Sequence, residues 1–134
     1  MLVRFIAIIL CTVATQSVSA KECWVLTNLH GNMALSSLKY SFSPDGFSNP
    51  MILCFNDDNS GSVTGDDSRL VRFGNSTLIG WATNQGIELV TSYQIDRVNG
   101  NILFTKSRIG TATAYPGMPD VVGAFAGKAE RIKQ

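Results

Sequence analysis

Ile87-Glu88-Leu89-Val90-Thr91-Ser92-Tyr93-Gln94-Ile95-Asp96 runs into Arg97-Val98-Asn99-Gly100 and then Asn101-Ile102-Leu103-Phe104-Thr105-Lys106-Ser107-Arg108. Up to Asp96, the residues Ile87, Leu89, Thr91, Tyr93 and Ile95 fall on one side. Glu88, Ser92, Gln94 and Asp96 fall on the other, and Val90 is the break. That period of two marks a half-buried β-strand. Arg97 to Gly100 is a turn signal, and the residues after it are again β-branched or aromatic. A four-residue loop pairs Ile95 with Ile102 and leaves Asp96 to accept hydrogen bonds from amides two or three residues on. A two-residue type I′ turn at Asn99-Gly100 pairs Ile95 with Phe104 instead. Both place Tyr93, Ile95, Ile102 and Phe104 on one face, which is therefore the buried one. A three-residue loop would turn Phe104 outward and is disfavoured for that reason.

On either side of this hairpin the chain reads as further strands. Residues 23–27 make a first strand carrying Trp24, which reads as a packing residue rather than a ligand-stacking one. Residues 28–32 hold His30 and Gly31 and read as a loop. Residues 34–42 read as a loosely patterned second strand, preferred over a helix at 33–40. Ser43-Pro44-Asp45-Gly46 has the residues of a tight turn. Residues 51–55 are an apolar run suited to a buried strand, and residues 56–68 are the most polar segment, read as an exposed loop. Residues 70–73 and 77–82 give two more strands, with Trp81 near the end of the second. Tyr115-Pro116-Gly117-Met118-Pro119 must be a loop. Residues 121–132 are read as a final strand rather than a helix capped by Asp120, because Gly123 and Gly127 weaken a helix and a last strand would hide a sheet edge. The count and spacing give an all-β fold, a small antiparallel β-barrel or sandwich of about eight strands. Its interior is expected either to be filled by Trp81, Tyr93, Ile95 and Phe104 or to be left open.

Residues 1–20 read as an export signal. Arg4 is the lone charge, residues 5–13 are apolar and Val18-Ser19-Ala20 ends in small residues. The apolar run is too short to span a bilayer. Ile8-Ile9-Leu10 lacks the small residues expected before a lipidated Cys11. Residues 21–134 are then one exported β-domain, secreted or periplasmic, with no transmembrane segment after cleavage. Cys23 and Cys54 survive trimming, and in an exported chain they are expected to pair as a disulfide. Closing a loop of about thirty residues is worth roughly 3–4 kcal/mol in the chain-entropy picture. With Arg4 set aside, ten basic residues face ten acidic ones. That balance argues against nucleic acid or an anionic membrane as partner. A charged fraction of 16% and a good supply of large apolar residues argue against disorder.

Groups for chemistry are few. His30 is the one histidine, and no nucleophile-elbow pattern accompanies it. Glu88 and Asp96 are the nearest thing to a carboxylate pair, but both face outward on one strand. No catalytic residue and no cofactor is expected. The acidic segment partly matches a calcium loop, with Asn56, Asp58, Ser60 and Asp67 at ligand positions one, three, five and twelve. Position one should be Asp and position twelve Glu, and the flanks read as strands, so an ordinary solvated loop and no metal is the expectation. Arg69, Arg72, Arg97, Lys106 and Arg108 fall in and around strands without interleaved aromatics and read as a solvated sheet face. The functional expectation is a non-catalytic binding protein for a small ligand or a protein partner. The alternative is an envelope or surface structural protein that assembles through a strand edge or the loop at residues 115–119.

Overall fold

The computed structural model describes residues 21–134, so the export-signal reading of residues 1–20 lies outside the described residues. The hairpin stands at the centre of the sheet as β7 (Ile87–Asp96) and β8 (Asn101–Ile109). Ile95 pairs with Ile102 and Asp96 with Asn101, the register of the four-residue loop. Asp96 Oδ1 accepts hydrogen bonds from the amides of Val98 and Asn99, each at 3.1 Å. Gly100 closes the turn with φ at 67°, a conformation that a β-branched residue adopts only with strain. Tyr93, Ile95, Ile102 and Phe104 are all buried, and the stacked rings of Tyr93 and Phe104 lie 4.7 Å apart.

The remaining strands are β1 (Glu22–Leu35), β2 (Phe42–Phe47), β3 (Met51–Phe55), β4 (Gly61–Val63), β5 (Arg69–Phe73), β6 (Thr77–Asn84) and β9 (Val121–Arg131). They form one antiparallel sheet of nine strands in the order β4-β3-β1-β9-β8-β7-β6-β5, with β2 also paired to β1. β3 pairs with the first part of β1 and β2 with its last part, so the two lie end to end along one strand. Consecutive strands thus follow one another around the sheet, and β1 meets β9. Between β4 and β5 the contact is slight: a bridge from Ser60 to Val71 and a 2.7 Å bond from the Arg72 amide to the Asn59 carbonyl. The sheet is nearly closed into a barrel. Cys23 and Cys54 stand directly opposite in register and are disulfide-bonded, with an S–S distance of 2.10 Å.

Four segments differ from expectation. Residues 28–32 are not a loop but the middle of β1, where the register shifts between Thr27 and His30 and Asn28 takes φ of 53°. The polar residues there serve a β-bulge. Gly127 of β9 lies against this bulge; a Cβ on it would stand 2.6 Å from the Thr27 carbonyl oxygen. The second strand is displaced, because the chain turns at residues 36–41 through a short 3₁₀ segment (Ser36–Leu38). Ser43-Pro44-Asp45-Gly46 is consequently strand, not turn. Proline is tolerated because β2 pairs only with β1 and its other edge needs no amide donor. Within the polar segment at residues 56–68, β4 forms a short strand.

Trp81 is the fourth difference. Leu78 and Gly80 point inward, so by parity Trp81 faces out, 44% exposed, with the Arg69 guanidinium 5.8 Å from its ring centre. The interior is filled instead by Trp24, Leu26, Leu53, Phe55, Leu78 and Phe125 alongside the hairpin residues. The final strand is present as expected. Asp120 does cap a helical turn, but the one before it: its Oδ1 accepts from the amides of Thr111 and Ala112 in α1 (Thr111–Ala114). No described helix is long and apolar enough to cross a membrane.

Candidate functional site

The two ends of the barrel are built differently. The first holds the start of β1, the end of β3 and the turns before β6 and β8. Arg97, from the β7–β8 turn, folds over it. Its Nη1 donates to Glu22 Oε1 at 2.5 Å, and Nε donates to Ser76 Oγ at 3.0 Å. Its guanidinium sits 5.6 Å from the Trp24 ring and 5.3 Å from the Phe55 ring. Trp24 Nε1 donates to the same Glu22 oxygen at 2.7 Å. Arg72 covers the Phe55 ring at 5.0 Å. Burial pushes the Glu22 carboxyl pKa up, but the bonds from Trp24 and Arg97 outweigh this and hold it below the ordinary value. This end is shut.

The opposite end is open. It is formed by the end of β1, the start of β3, the end of β8 and the start of β9. Two adjoining hollows occupy it, of about 270 Å³ and about 200 Å³. Phe47 and Lys106 line both. The larger also touches Met51, Asp66, Tyr93 and Phe104, and the smaller Met33, Arg108, Val121 and Phe125. Phe47 ends β2 and leans over the mouth, its ring 5.7 Å from that of Phe104 and 5.1 Å from that of Phe125.

On one wall of the mouth a carboxylate is held by neutral donors. Asp66 Oδ2 accepts from the Tyr93 hydroxyl at 2.7 Å and from Thr91 Oγ1 at 3.1 Å. Asp66 Oδ1 accepts from Ser68 Oγ at 2.5 Å and from the Ser68 amide at 2.9 Å. A carboxylate has about four acceptor positions, and these four bonds fill them. Partial burial raises the Asp66 pKa, yet the bonds led by Ser68 and Tyr93 bring it below the ordinary value. Burial and then the neighbouring Asp66 push the Tyr93 hydroxyl pKa far upward, so it stays protonated as a donor. Asp66 is therefore a latch tying the β4–β5 turn to β7.

Lys106 and Arg108 stand across the mouth. They continue the inward face of β8 after Ile102 and Phe104. The ion pairs among the described residues are Arg97–Glu22 and Arg131–Glu22; neither Lys106 nor Arg108 makes one. Arg108 Nη2 donates to the Pro119 carbonyl at 3.3 Å, while its Nε is buried with no hydrogen-bond partner.

The structure disperses the residues singled out from sequence. Asn56, Asp58 and Ser60 share one tight turn, where Asp58 Oδ1 accepts from the Ser60 amide at 3.1 Å and Asn56 Nδ2 donates to Ser60 Oγ at 2.8 Å. Asp67 lies beyond the other end of β4, an extended strand about 10 Å long. Among the described residues, no group of three or more His, Cys, Asp or Glu is placed to hold a metal ion. His30 lies exposed beside the bulge, its Nδ1 2.8 Å from the Asn28 carbonyl oxygen. Glu88 and Asp96 sit at opposite ends of β7. The five basic residues do not share one solvated face: Arg69 covers Trp81 outside, Arg72 and Arg97 cover one end, and Lys106 and Arg108 line the other. The sequence carried a signal for the last pair, since the period of two that buries Ile102 and Phe104 reaches Lys106 and Arg108 unbroken. It carried none for Asp66, which meets Tyr93 across 27 residues. No protein-family model matches this chain, and no curated protein or solved structure is significantly similar to it.

Proposed function

We propose that this chain is an exported, non-catalytic binding protein that takes a small ligand at the open mouth of the barrel. The observation that carries this is the pair of hollows under Phe47, apolar below and charged at the rim. Such a mix suits ligand capture. A ligand in the middle of the barrel has no room, because Tyr93, Ile95 and Phe104 fill it. The disulfide is compatible with a secreted or periplasmic location, where such a bond persists. The chemistry at the mouth favours holding over turnover: Asp66 has its acceptors filled, and Tyr93 is kept as a donor. The test is amide chemical-shift mapping with a set of short amphiphiles. Saturable shifts at Phe47, Tyr93, Phe104 and Phe125 are expected, with none around Arg97. Shifts confined to other surfaces would dismiss the mouth as the site.

A second reading, assembly into a surface structure, is favoured by the outer wall. Trp81, Val90, Ser107 and Val122 follow one another across four strands, and Trp81, Val90 and Val122 are exposed. The strand-edge version of that reading is weakened by the near closure of the sheet. Concentration-dependent association abolished by Trp81→Lys in light scattering would support assembly through this wall.

A further inference from the structure

We infer that the ligand of the mouth is a small amphipathic anion: an apolar body lying against Phe47, Val121 and Phe125, and a carboxylate or like group met by Lys106 and Arg108. This rests on the binding reading above and names its ligand class. Two cations sit on inward positions of β8, at the rim of a mostly apolar hollow of about 200 Å³ that Asp45 also borders. Neither has an ion-pair partner among the described residues. Charged side chains brought toward apolar surroundings are normally paired, because an unpaired one loses hydration without recompense. The deficit is specific at Arg108, whose buried Nε lacks any acceptor. An anion arriving in the hollow would meet the rest of the guanidinium, which lines it, through a charge-assisted bond, stronger than a neutral one.

The carboxylates nearby do not take this role. Asp66 has all four acceptor positions occupied. Asp45 borders the smaller hollow but is exposed and forms no ion pair among the described residues. Asp67 is exposed at the rim of the larger one. The apolar share of the selectivity comes from Phe47, which roofs both hollows, and Phe125 beneath it. The hollows are smaller than a drug-sized site, which limits the ligand to a short chain or a single ring.

The experiment titrates the oxidised protein at pH 7 and low salt with octanoate, 1-octanol and octyltrimethylammonium, read by amide chemical shifts. Octanoate is expected to bind at least tenfold more tightly than the ammonium probe, with shifts at Lys106, Arg108, Val121 and Phe125. The Lys106→Gln, Arg108→Gln double variant is expected to lose that preference and keep 1-octanol binding. A peptide ending in Phe-Leu, as free acid and as amide, separates the two sources of such a carboxylate. Preference for the acid over both its amide and octanoate assigns the site to a peptide C-terminus and keeps the anion chemistry. Equal binding of the two charged probes, or preference for the ammonium, overturns the anion assignment and leaves the binding site standing. Binding by none of the probes overturns both. The comparison of charged probes on the unaltered protein decides the matter even if the double variant fails to fold.

Discussion

Each end of this barrel has a hydrogen-bonded carboxylate, Glu22 at one and Asp66 at the other, and cations near it, but they are matched differently. At the shut end Arg97 and Trp24 converge on Glu22, and Arg72 and Arg97 lie against aromatic rings. The protein's own groups use up its charge there. At the open end Asp66 is satisfied by Tyr93, Thr91 and Ser68, all neutral, Asp45 and Asp67 stay exposed, and Lys106 and Arg108 make no ion pair among the described residues. A carboxylate paired with hydroxyls stays fixed without neutralising a cation. That difference leaves one end covered by a plug of matched charge and the other, the proposed binding end, with cations that make no ion pair among the described residues.

The largest expected effect is at the shut end. Replacing Cys23 and Cys54 with Ser removes the covalent link beside Glu22 and should cost about 3 kcal/mol, seen in urea or thermal unfolding. A loss below about 1 kcal/mol would mean that the plug holds without the bond. Next is Arg97→Ala, which strips cover from Trp24 and Phe55 and leaves Glu22 without its nearer ion-pair partner. A loss of about 1–2 kcal/mol is expected, combining packing and a charge-assisted bond. Tyr93→Phe keeps the ring stacked on Phe104 but removes one donor to Asp66; about 1 kcal/mol is expected. The smallest effect is at the unmatched cations: Lys106→Gln should change stability by no more than about 0.5 kcal/mol in either direction. Losses as large at Lys106 as at Arg97 would erase the contrast between the ends.

Acid separates the latch from the plug. Asp66 and Glu22 both have folded pKa values depressed from 3.8 and 4.5, the first through hydrogen bonds that overcome burial. The folded protein thus binds fewer protons at these groups than the unfolded chain. Their contribution is complete above the unfolded values and is lost as pH falls through the folded ones. Stability should decline below about pH 4.5, and Asp66→Asn should flatten the lower part of that decline. An unchanged acid limb in Asp66→Asn would show that the latch contributes nothing through its charge.

Much of this was legible in the residues. The alternation from Ile87 to Ile95, with Asp96 before the turn, led to the correct pairing of Ile95 with Ile102, because parity and local side-chain bonds decide a hairpin from within. The cysteine pair followed from the count and from the expectation of export. The misread segments are those where a neighbour decides. Asn28 to Asn32 resembles a loop until β9 packs Gly127 against its bulge. Pro44 looks like a turn until β2 is seen to pair on one side alone.

Strand content, the buried face of the hairpin and the sulfur bridge follow from short-range chemistry, and so are written along the chain. Which strands meet around the circle, which end Arg97 shuts, and the meeting of Asp66 with Tyr93 depend on closure of the sheet. Closure brings together residues far apart in sequence, and no local pattern encodes their encounter. The inward direction of Lys106 and Arg108 was present in the alternation; that they would face an open mouth with no ion pair among the described residues came from the folded barrel.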